Sequence, residues 1–199
     1  MLLDTPSRER STVRLRRRWT VADLAALPDE LPSGPVCYEL DNGELVTMSP
    51  PGYVHGVIEL TLGTHLKIQG EWRGFGKACS GEVGIILWRN PDRVVGADAA
   101  FVATAHLPVR RSPEGYLETI PDLVVEVMSP NDTRPEEQRK VDDYLRAGVR
   151  VVWVVDPARR TLAIHRPGQA VETLGEADTL TVPEVIPGFL LRVEDALAE

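Results

Sequence analysis

The segment from residue 121 to residue 157 constrains the fold more than any other part of the chain. It contains the apolar run Leu123-Val-Val-Glu-Val-Met128, then a helical pattern, then a valine-rich run at 149–155. Such apolar runs are typical of strands that are covered on both faces. A strand, a helix and a second strand in this order predict a parallel pair joined by one right-handed crossover.

The helix within this segment has recognisable start and stop signals. Thr133 and Glu136 have the spacing of a capping box, and Pro135 fits the first helical turn. Gly148 follows Ala147 at the point where the periodic pattern ends, and a glycine is the usual residue just past a helix. The sequence therefore predicts a helix that begins after Thr133 and ends at Ala147.

The rest of the chain supplies further strands and helices. Thr20 is a predicted N-cap, and the pair Asn42-Gly43 between two strand-like runs predicts a hairpin. The other predicted elements are helices at 21–27 and 53–69, strands at 83–88, 94–103 and 161–165, and a last apolar segment at 182–191. This order predicts an α/β (α+β) fold with a mixed central sheet flanked by helices.

Charge and length limit the domain organisation and the class of partner. The 199 residues carry a formal net charge of −8, which argues against a protein that coats nucleic acid by bulk attraction. Basic residues cluster near the N-terminus at Arg14, Arg16, Arg17 and Arg18. We expect residues 1–18 to form a mobile basic arm, which either contacts phosphates or is simply solvated. Residues 19–199 would then form one domain.

Hydropathy and cysteine usage predict the compartment. No run approaches the roughly 20 apolar residues of a membrane helix, and charged residues occupy the position of a secretory signal core. Cys37 and Cys79 do not make a disulfide framework or a metal-type spacing. These features predict a cytoplasmic protein with reduced thiols and no membrane partner.

Two carboxylates stand inside predicted strands. Glu126 lies within the apolar run at 123–128, and Asp98 lies among small and apolar residues at 94–103. Burying a charge costs several kcal/mol unless a cation compensates it. Successive strands lie roughly 5 Å apart, so the two carboxylates could share one Mg²⁺. The alternatives are a structural salt bridge or a water-facing edge for Glu126, and a turn-end role for Asp98.

Lys140 is the candidate cationic residue. It falls at the edge of the apolar helical stripe formed by Val141, Tyr144 and Leu145. At roughly 100° per residue, Lys140 lies one turn before Tyr144 on that edge. Its ammonium could therefore follow the apolar face to the sheet, or Lys140 could be an ordinary surface lysine.

Several motifs of this chain resemble one nuclease family. They are Leu123-Val-Val-Glu-Val-Met-Ser-Pro130, Lys140-x-x-x-Tyr144, Ala147-Gly-Val149, Val152-Trp-Val-Val-Asp-Pro157 and, upstream, Tyr38-Glu39, Asp41-Asn-Gly-Glu44, Ser49-Pro50 and His55. The chain resembles, over roughly residues 20–192, the Uma-type restriction endonuclease family of the PD-(D/E)xK nuclease superfamily. The motifs at 121–157 are the specific ones.

The resemblance implies a restriction-endonuclease-like fold and a Mg²⁺- or Mn²⁺-dependent endodeoxyribonuclease. Asp98 matches the first acidic position and Glu126 the second. They would bind the metal ion together with the backbone carbonyl of Val127. Met128 stands where the superfamily ordinarily has its lysine, so the resemblance assigns the lysine's role to Lys140 on the following helix.

Glu82 and His55 are auxiliary candidates. Glu82 either faces the same cleft or is a solvated loop residue, and His55 either lines the site or supports packing. The expected substrate is DNA, and cutting both strands with one site per chain favours a homodimer. Two other functions remain open: a non-catalytic interaction protein on the same scaffold, and a phosphodiesterase acting on a small nucleotide.

Overall fold

A mixed sheet of eight strands forms the centre of the computed structural model, which describes residues 17–32, 34–48, 50–110, 112–130 and 132–198. The strands of this sheet, counted within the described ranges, are β1 (Cys37–Asp41), β2 (Glu44–Met48), β3 (Gly76–Trp88), β4 (Arg93–Ala103), β5 (Leu123–Val127), β6 (Val151–Asp156), β7 (Thr161–His165) and β8 (Glu172–Gly175). Two short pairs lie outside it and join Glu30–Leu31 to Gly34–Pro35 and Thr179–Leu180 to Leu191–Arg192.

Strand β4 has an interrupted edge, and this interruption positions the candidate site. β3 pairs antiparallel with β4 along nearly its whole length, from Gly76 opposite Ala103 to Trp88 opposite Arg93. The opposite edge of β4 is shared: β5 pairs with residues 99–101, and β1 pairs at Val94. Among the described residues no strand pairs with the edge between these two points. We call residues 95–98 of β4 the edge gap.

Two helices cover the opposite faces of the sheet. The helices are α1 (Val21–Ala25), α2 (Tyr53–Leu66), α3 (Arg134–Ala147) and α4 (Val193–Ala196); a π-helical turn at Lys67–Glu71 continues α2, and a short 3-10 turn spans Thr104–His106. On one face, Ile58 of α2 packs in the same apolar cluster as Val125 of β5. On the other face, Val141 of α3 packs with Val124 of β5. Glu126 shares the face of Val124, because alternate residues of a strand point the same way.

The predicted strand–helix–strand unit is present. β5 and β6 are parallel, with Leu123 opposite Val151, and α3 connects them. The capping box of Thr133 and Glu136 is formed, and Gly148 adopts the left-handed conformation at the end of α3. The α+β architecture with a mixed sheet flanked by helices is therefore confirmed.

Several predicted boundaries differ from the structure. The first helix ends at Ala25 rather than at residue 27, and α2 is α-helical only to Leu66 before the π-helical turn. The strand predicted at 83–88 begins at Gly76, since the small and polar residues 76–80 pair with β4 despite lacking an apolar pattern. The strand predicted at 149–155 spans Val151–Asp156.

Two other expectations concern the N-terminal basic arm and membrane-spanning helices. The basic arm predicted at residues 1–18 lies outside the described residues except for Arg17 and Arg18. Arg17 forms an ion pair with Asp23, and Arg18 donates to the backbone carbonyl of Asn42. Within the described part of the chain, no helix is long and apolar enough to cross a membrane.

Candidate active site

Two side chains bind the buried backbone of Gly96 in the edge gap. Glu39 of β1 accepts a hydrogen bond from the Gly96 N–H at 2.9 Å, and Lys140 of α3 donates to the Gly96 carbonyl at 2.8 Å. Backbone groups of a buried strand need partners, and here side chains supply them. The edge gap is therefore lined by ionisable groups.

Lys140 and Tyr144 hold the carboxylate of Glu126. The Lys140 Nζ lies 2.8 Å from Glu126 Oε2 and 3.3 Å from Glu39 Oε1. One helical turn later, the Tyr144 hydroxyl donates a hydrogen bond to Glu126 Oε1. Lys140 thus reaches the sheet, and both oxygens of Glu126 have a partner on α3.

Burial and neighbouring charge act on this pair in opposite ways. Burial raises the pKa of Glu126 well above its usual value; the Asp98 charge adds to this rise, and Lys140 opposes it. Burial would lower the pKa of Lys140, but the carboxylates of Glu126 and Glu39 outweigh it and raise that pKa. The ammonium of Lys140 is therefore held in its charged form.

Asp98 links strand β4 to the end of strand β5. Its Oδ2 accepts a hydrogen bond from the Val127 N–H at 2.5 Å, and its Oδ1 lies 3.0 Å from the Nε2 of His55. Asp98 is 3% exposed, so its carboxylate is almost fully removed from water. The Asp98 charge raises the pKa of both Glu126 and His55, so it acts on a group carried by β5 and on one carried by α2.

His55 and Glu59 approach Asp98 from helix α2. They are one turn apart, and one ligand atom from each of the three residues lies within 4.8 Å of the other two. Burial would lower the pKa of His55, but the charges of Asp98, Glu82 and Glu59 raise it overall. The pKa of Glu59 is raised by burial and by Asp98, although the Gly81 N–H that donates to its carboxylate opposes the rise.

Glu82 enters the same cluster through a β-bulge. The register of β3 against β4 shifts between Ser80 and Val83, and both Gly81 and Glu82 have positive φ. A Cβ placed on Gly96 would lie 2.9 Å from Glu82 Oε2. The absence of a side chain at Gly96 therefore leaves room for the Glu82 carboxylate. Burial and the Asp98 charge raise the pKa of Glu82, and Lys140 lowers it. Glu82 is half-buried in the cluster.

The sequence-predicted residues are thus placed around one region. Glu126 contacts Lys140, Asp98 contacts the Val127 backbone, and His55 lies beside Asp98. The contact of Val127 is made by its N–H; the assignment of its carbonyl to a metal ion stays a prediction. A cation shared by the first two carboxylates likewise stays a prediction.

Sequence reasoning gave no chemical role to three residues of the cluster, which are Glu39, Glu59 and Tyr144. Each has a signal that could have identified it. Glu59 and Tyr144 stand four residues after His55 and Lys140, on the same helical faces. Glu39 is a carboxylate directly before buried Leu40 in a strand, and a carboxylate beside apolar strand residues is the signal that identified Glu126.

The donor set fits a divalent cation. Carboxylates outnumber cationic side chains around the edge gap, and this excess is what a metal ion offsets. Each carboxylate oxygen has two lone pairs, so Asp98 and Glu126 keep acceptor capacity beside their present partners. Oxygen ligands of this kind suit Mg²⁺ or Mn²⁺.

Comparisons with known proteins agree with this fold. The model of the Uma2 family, described as "Putative restriction endonuclease", matches residues 22–194. A crystal structure from Anabaena variabilis ATCC 29413, described as "a putative nuclease belonging to DUF820", is similar with a TM-score of 0.73 and 19% identity. The alignment covers 90% of this chain and 97% of that one. The comparison with curated proteins gave no match.

Proposed function

Since this chain belongs to the Uma2 restriction endonuclease family, we propose that it is a Mg²⁺- or Mn²⁺-dependent endonuclease that hydrolyses phosphodiester bonds of DNA. The observation that carries this proposal is the position of Lys140, whose ammonium lies 2.8 Å from Glu126 within a buried, mostly acidic cluster. A partly buried lysine among carboxylates beside a cation site is a suitable arrangement for stabilising phosphate charge.

Each residue of the cluster has a separate role in the proposed reaction. Asp98 and Glu126 would hold the cation, with the Val127 carbonyl as a further ligand. The bound cation would lower the pKa of a water molecule and neutralise charge on the scissile phosphate. Lys140 keeps the Glu126 carboxylate in place and adds positive charge where the phosphate would sit. Tyr144 orients the second oxygen of Glu126.

The proposed assembly is a homodimer, because two antiparallel strands cut by one site per chain call for two-fold symmetry. The proposed compartment is the cytoplasm. The formal net charge of −8 leaves affinity for DNA to local features such as the basic cluster that includes Arg14 and Arg16. The same net charge favours the second candidate function, a phosphodiesterase for a small nucleotide, because a small substrate does not need a broad basic surface.

Nicking of supercoiled plasmid tests the proposal. Wild type is incubated with Mg²⁺ or Mn²⁺ and with a chelator, beside Glu126→Gln and the exposed control Glu44→Gln. We expect metal-dependent nicking by wild type and by the control, and none by Glu126→Gln, with circular dichroism showing that all three are folded.

Each other outcome overturns the proposal. Equal nicking by Glu126→Gln would place the chemistry elsewhere. Metal-dependent hydrolysis of a small nucleotide diester without any cutting of DNA would favour the second candidate. Absence of hydrolysis across metals and substrates would favour a non-catalytic interaction protein on the same scaffold.

A further inference from the structure

The imidazole of His55 points one buried nitrogen at the carboxylates of Asp98 and Glu59. The Nε2 lies 3.0 Å from Asp98 Oδ1, an ion-pair distance, and it is buried without a hydrogen bond of ordinary geometry to any described residue. The side chain of His55 is 9% exposed, so water cannot freely solvate that nitrogen. A buried polar atom without a hydrogen bond calls for an explanation, and an absent ligand is one.

The other nitrogen of His55 is already engaged. The Nδ1 lies 3.2 Å from the hydroxyl of Ser129, in the turn that follows strand β5. If Nδ1 carries the proton and donates it to this hydroxyl, the lone pair of Nε2 faces Asp98 and Glu59. Histidines that bind metals usually have their second nitrogen fixed in this way.

The two carboxylates complete a set of three ligands. Glu59 follows His55 by one turn of α2, so both side chains leave the same face of the helix. The Gly81 N–H donates to Glu59 Oε1, and the Val127 N–H donates to Asp98 Oδ2. Both carboxylates are thus oriented by backbone donors, and the three ligand atoms lie within 4.8 Å of one another. One cation can contact all three after small side-chain movements.

We propose that His55, Glu59 and Asp98 form a second cation site, distinct from the position assigned to Asp98 and Glu126, which binds a divalent first-row transition metal in preference to Mg²⁺. Imidazole nitrogen is a good ligand for transition metals and a poor one for Mg²⁺, which prefers oxygen and water. Asp98 belongs to both sites and joins them. Binding at this second site does not require the chain to cut DNA.

Paramagnetic Mn²⁺ is a direct probe of the site. Mn²⁺ is titrated into the full chain without DNA and in excess Mg²⁺, and electron spin echo spectroscopy reports whether a ¹⁴N nucleus is bound to it. The variants are His55→Gln, Glu59→Gln and Ser129→Ala. His65→Gln is the control, since it removes a half-buried histidine of the same helix ten residues further on. That spacing is roughly 15 Å along the helix axis.

We expect wild type and His65→Gln to show a ¹⁴N signal and to retain Mn²⁺ against Mg²⁺. His55→Gln should lose the signal and weaken Mn²⁺ binding by at least about tenfold, and Glu59→Gln should weaken it while keeping the nitrogen signal. Ser129→Ala should weaken binding by roughly 10- to 100-fold, as for other groups that orient a metal-binding histidine. Thermal unfolding in a chelator shows whether each variant is folded.

A Mn²⁺ spectrum without a nitrogen signal in folded wild type overturns the second site, even if the protein cuts DNA. A nitrogen signal that persists in folded His55→Gln overturns it too. Loss of the signal in His55→Gln supports the site, whether or not wild type nicks plasmid. The two proposals can therefore fail separately.

Discussion

The carboxylate of Asp98 accepts a hydrogen bond from the backbone N–H of Val127 at 2.5 Å, across the point where strands β4 and β5 separate. The strand ladder ends one residue away, where Ala99 lies opposite Val125. Asp98 therefore makes with its side chain the contact that its backbone no longer makes. This contact fixes the carboxylate beside the strand end that carries Glu126.

Replacing Asp98 tests this link between backbone and site. In Asp98→Asn the amide oxygen can still accept the Val127 N–H, so the fold should persist, while one negative charge is lost. If Asp98 ligates the cation, nicking should fall by on the order of a hundredfold or more, since metal catalysis supplies several kcal/mol. Plasmid nicking against metal concentration measures the effect, and full activity at all concentrations would contradict it.

Removing the hydroxyl of Tyr144 should destabilise the fold. Tyr144→Phe leaves Glu126 Oε1 buried without its donor. The expected loss is about 1–3 kcal/mol of unfolding free energy, the usual cost of an unsatisfied buried group. Urea unfolding in a chelator measures it. The control Tyr53→Phe changes a side chain that is 78% exposed and should unfold like wild type.

Removing the charge of Lys140 should have a larger and pH-dependent effect. Lys140→Met leaves the buried carboxylate of Glu126 without its cation, whereas Glu39 keeps its ion pair with Arg93. We expect a loss of about 3–5 kcal/mol near neutral pH, as for other broken buried ion pairs. The exposed Lys67→Met is the control, since the Lys67 side chain is 51% exposed.

The pH dependence of this loss has a definite sign. Without Lys140, which lowers it, the pKa of Glu126 rises further in the folded state, which then binds more protons than the unfolded chain. The folded variant therefore gains stability as the pH falls. The difference between Lys140→Met and wild type should shrink between pH 8 and pH 5. A difference that stays constant over this range would show that Lys140 does not hold the Glu126 carboxylate charged.

Glu137 should make the protein less stable as the pH rises. Burial raises the pKa of Glu137 from 4.5 to about 6, and its Oε1 is buried without a hydrogen-bond partner among the described residues. The folded state therefore holds the proton more tightly than the unfolded state. The cost of losing it develops from about pH 4.5 to pH 6 and reaches at most about 2 kcal/mol.

The variant Glu137→Gln isolates this effect, because glutamine does not ionise. The quantity to follow is the unfolding free energy of the variant minus that of wild type, both measured in a chelator. This difference should not change with pH below about pH 4.5. It should rise between pH 4.5 and pH 6 and stay constant above. For Glu136→Gln, one position earlier in the first turn of α3, the difference should instead fall as the pH rises to about 4.5 and stay constant above, because the cap contact with Thr133 lowers the pKa of Glu136 from 4.5. A flat difference for both variants would contradict these assignments.

The sequence alone was sufficient to find those residues of the cluster whose signal is local. The charge of Glu126 inside an apolar run and the position of Lys140 beside a helical stripe each led to a residue that the structure places in the cluster. The caps of α3 were readable for the same reason. Such features depend on residues a few positions apart, where spacing dictates geometry.

Features that depend on distant parts of the chain could not be read in this way. Glu39 contacts Lys140 across about one hundred intervening residues, and no periodicity reports that contact. The bulge at Gly81 and Glu82 results from positive φ angles, one of them at a non-glycine residue. Glu82 therefore enters the cluster for a backbone reason that composition does not encode.

The contacts of Glu39 and Lys140 with the backbone of Gly96 have a consequence for evolution. Gly96 is buried, so losing either side chain would leave its N–H or its carbonyl without that partner, at a cost to the folded state. The residues of the candidate site therefore also stabilise the sheet. Natural selection would then preserve an acceptor at position 39 and a donor at position 140 even in a descendant that had lost its catalytic activity.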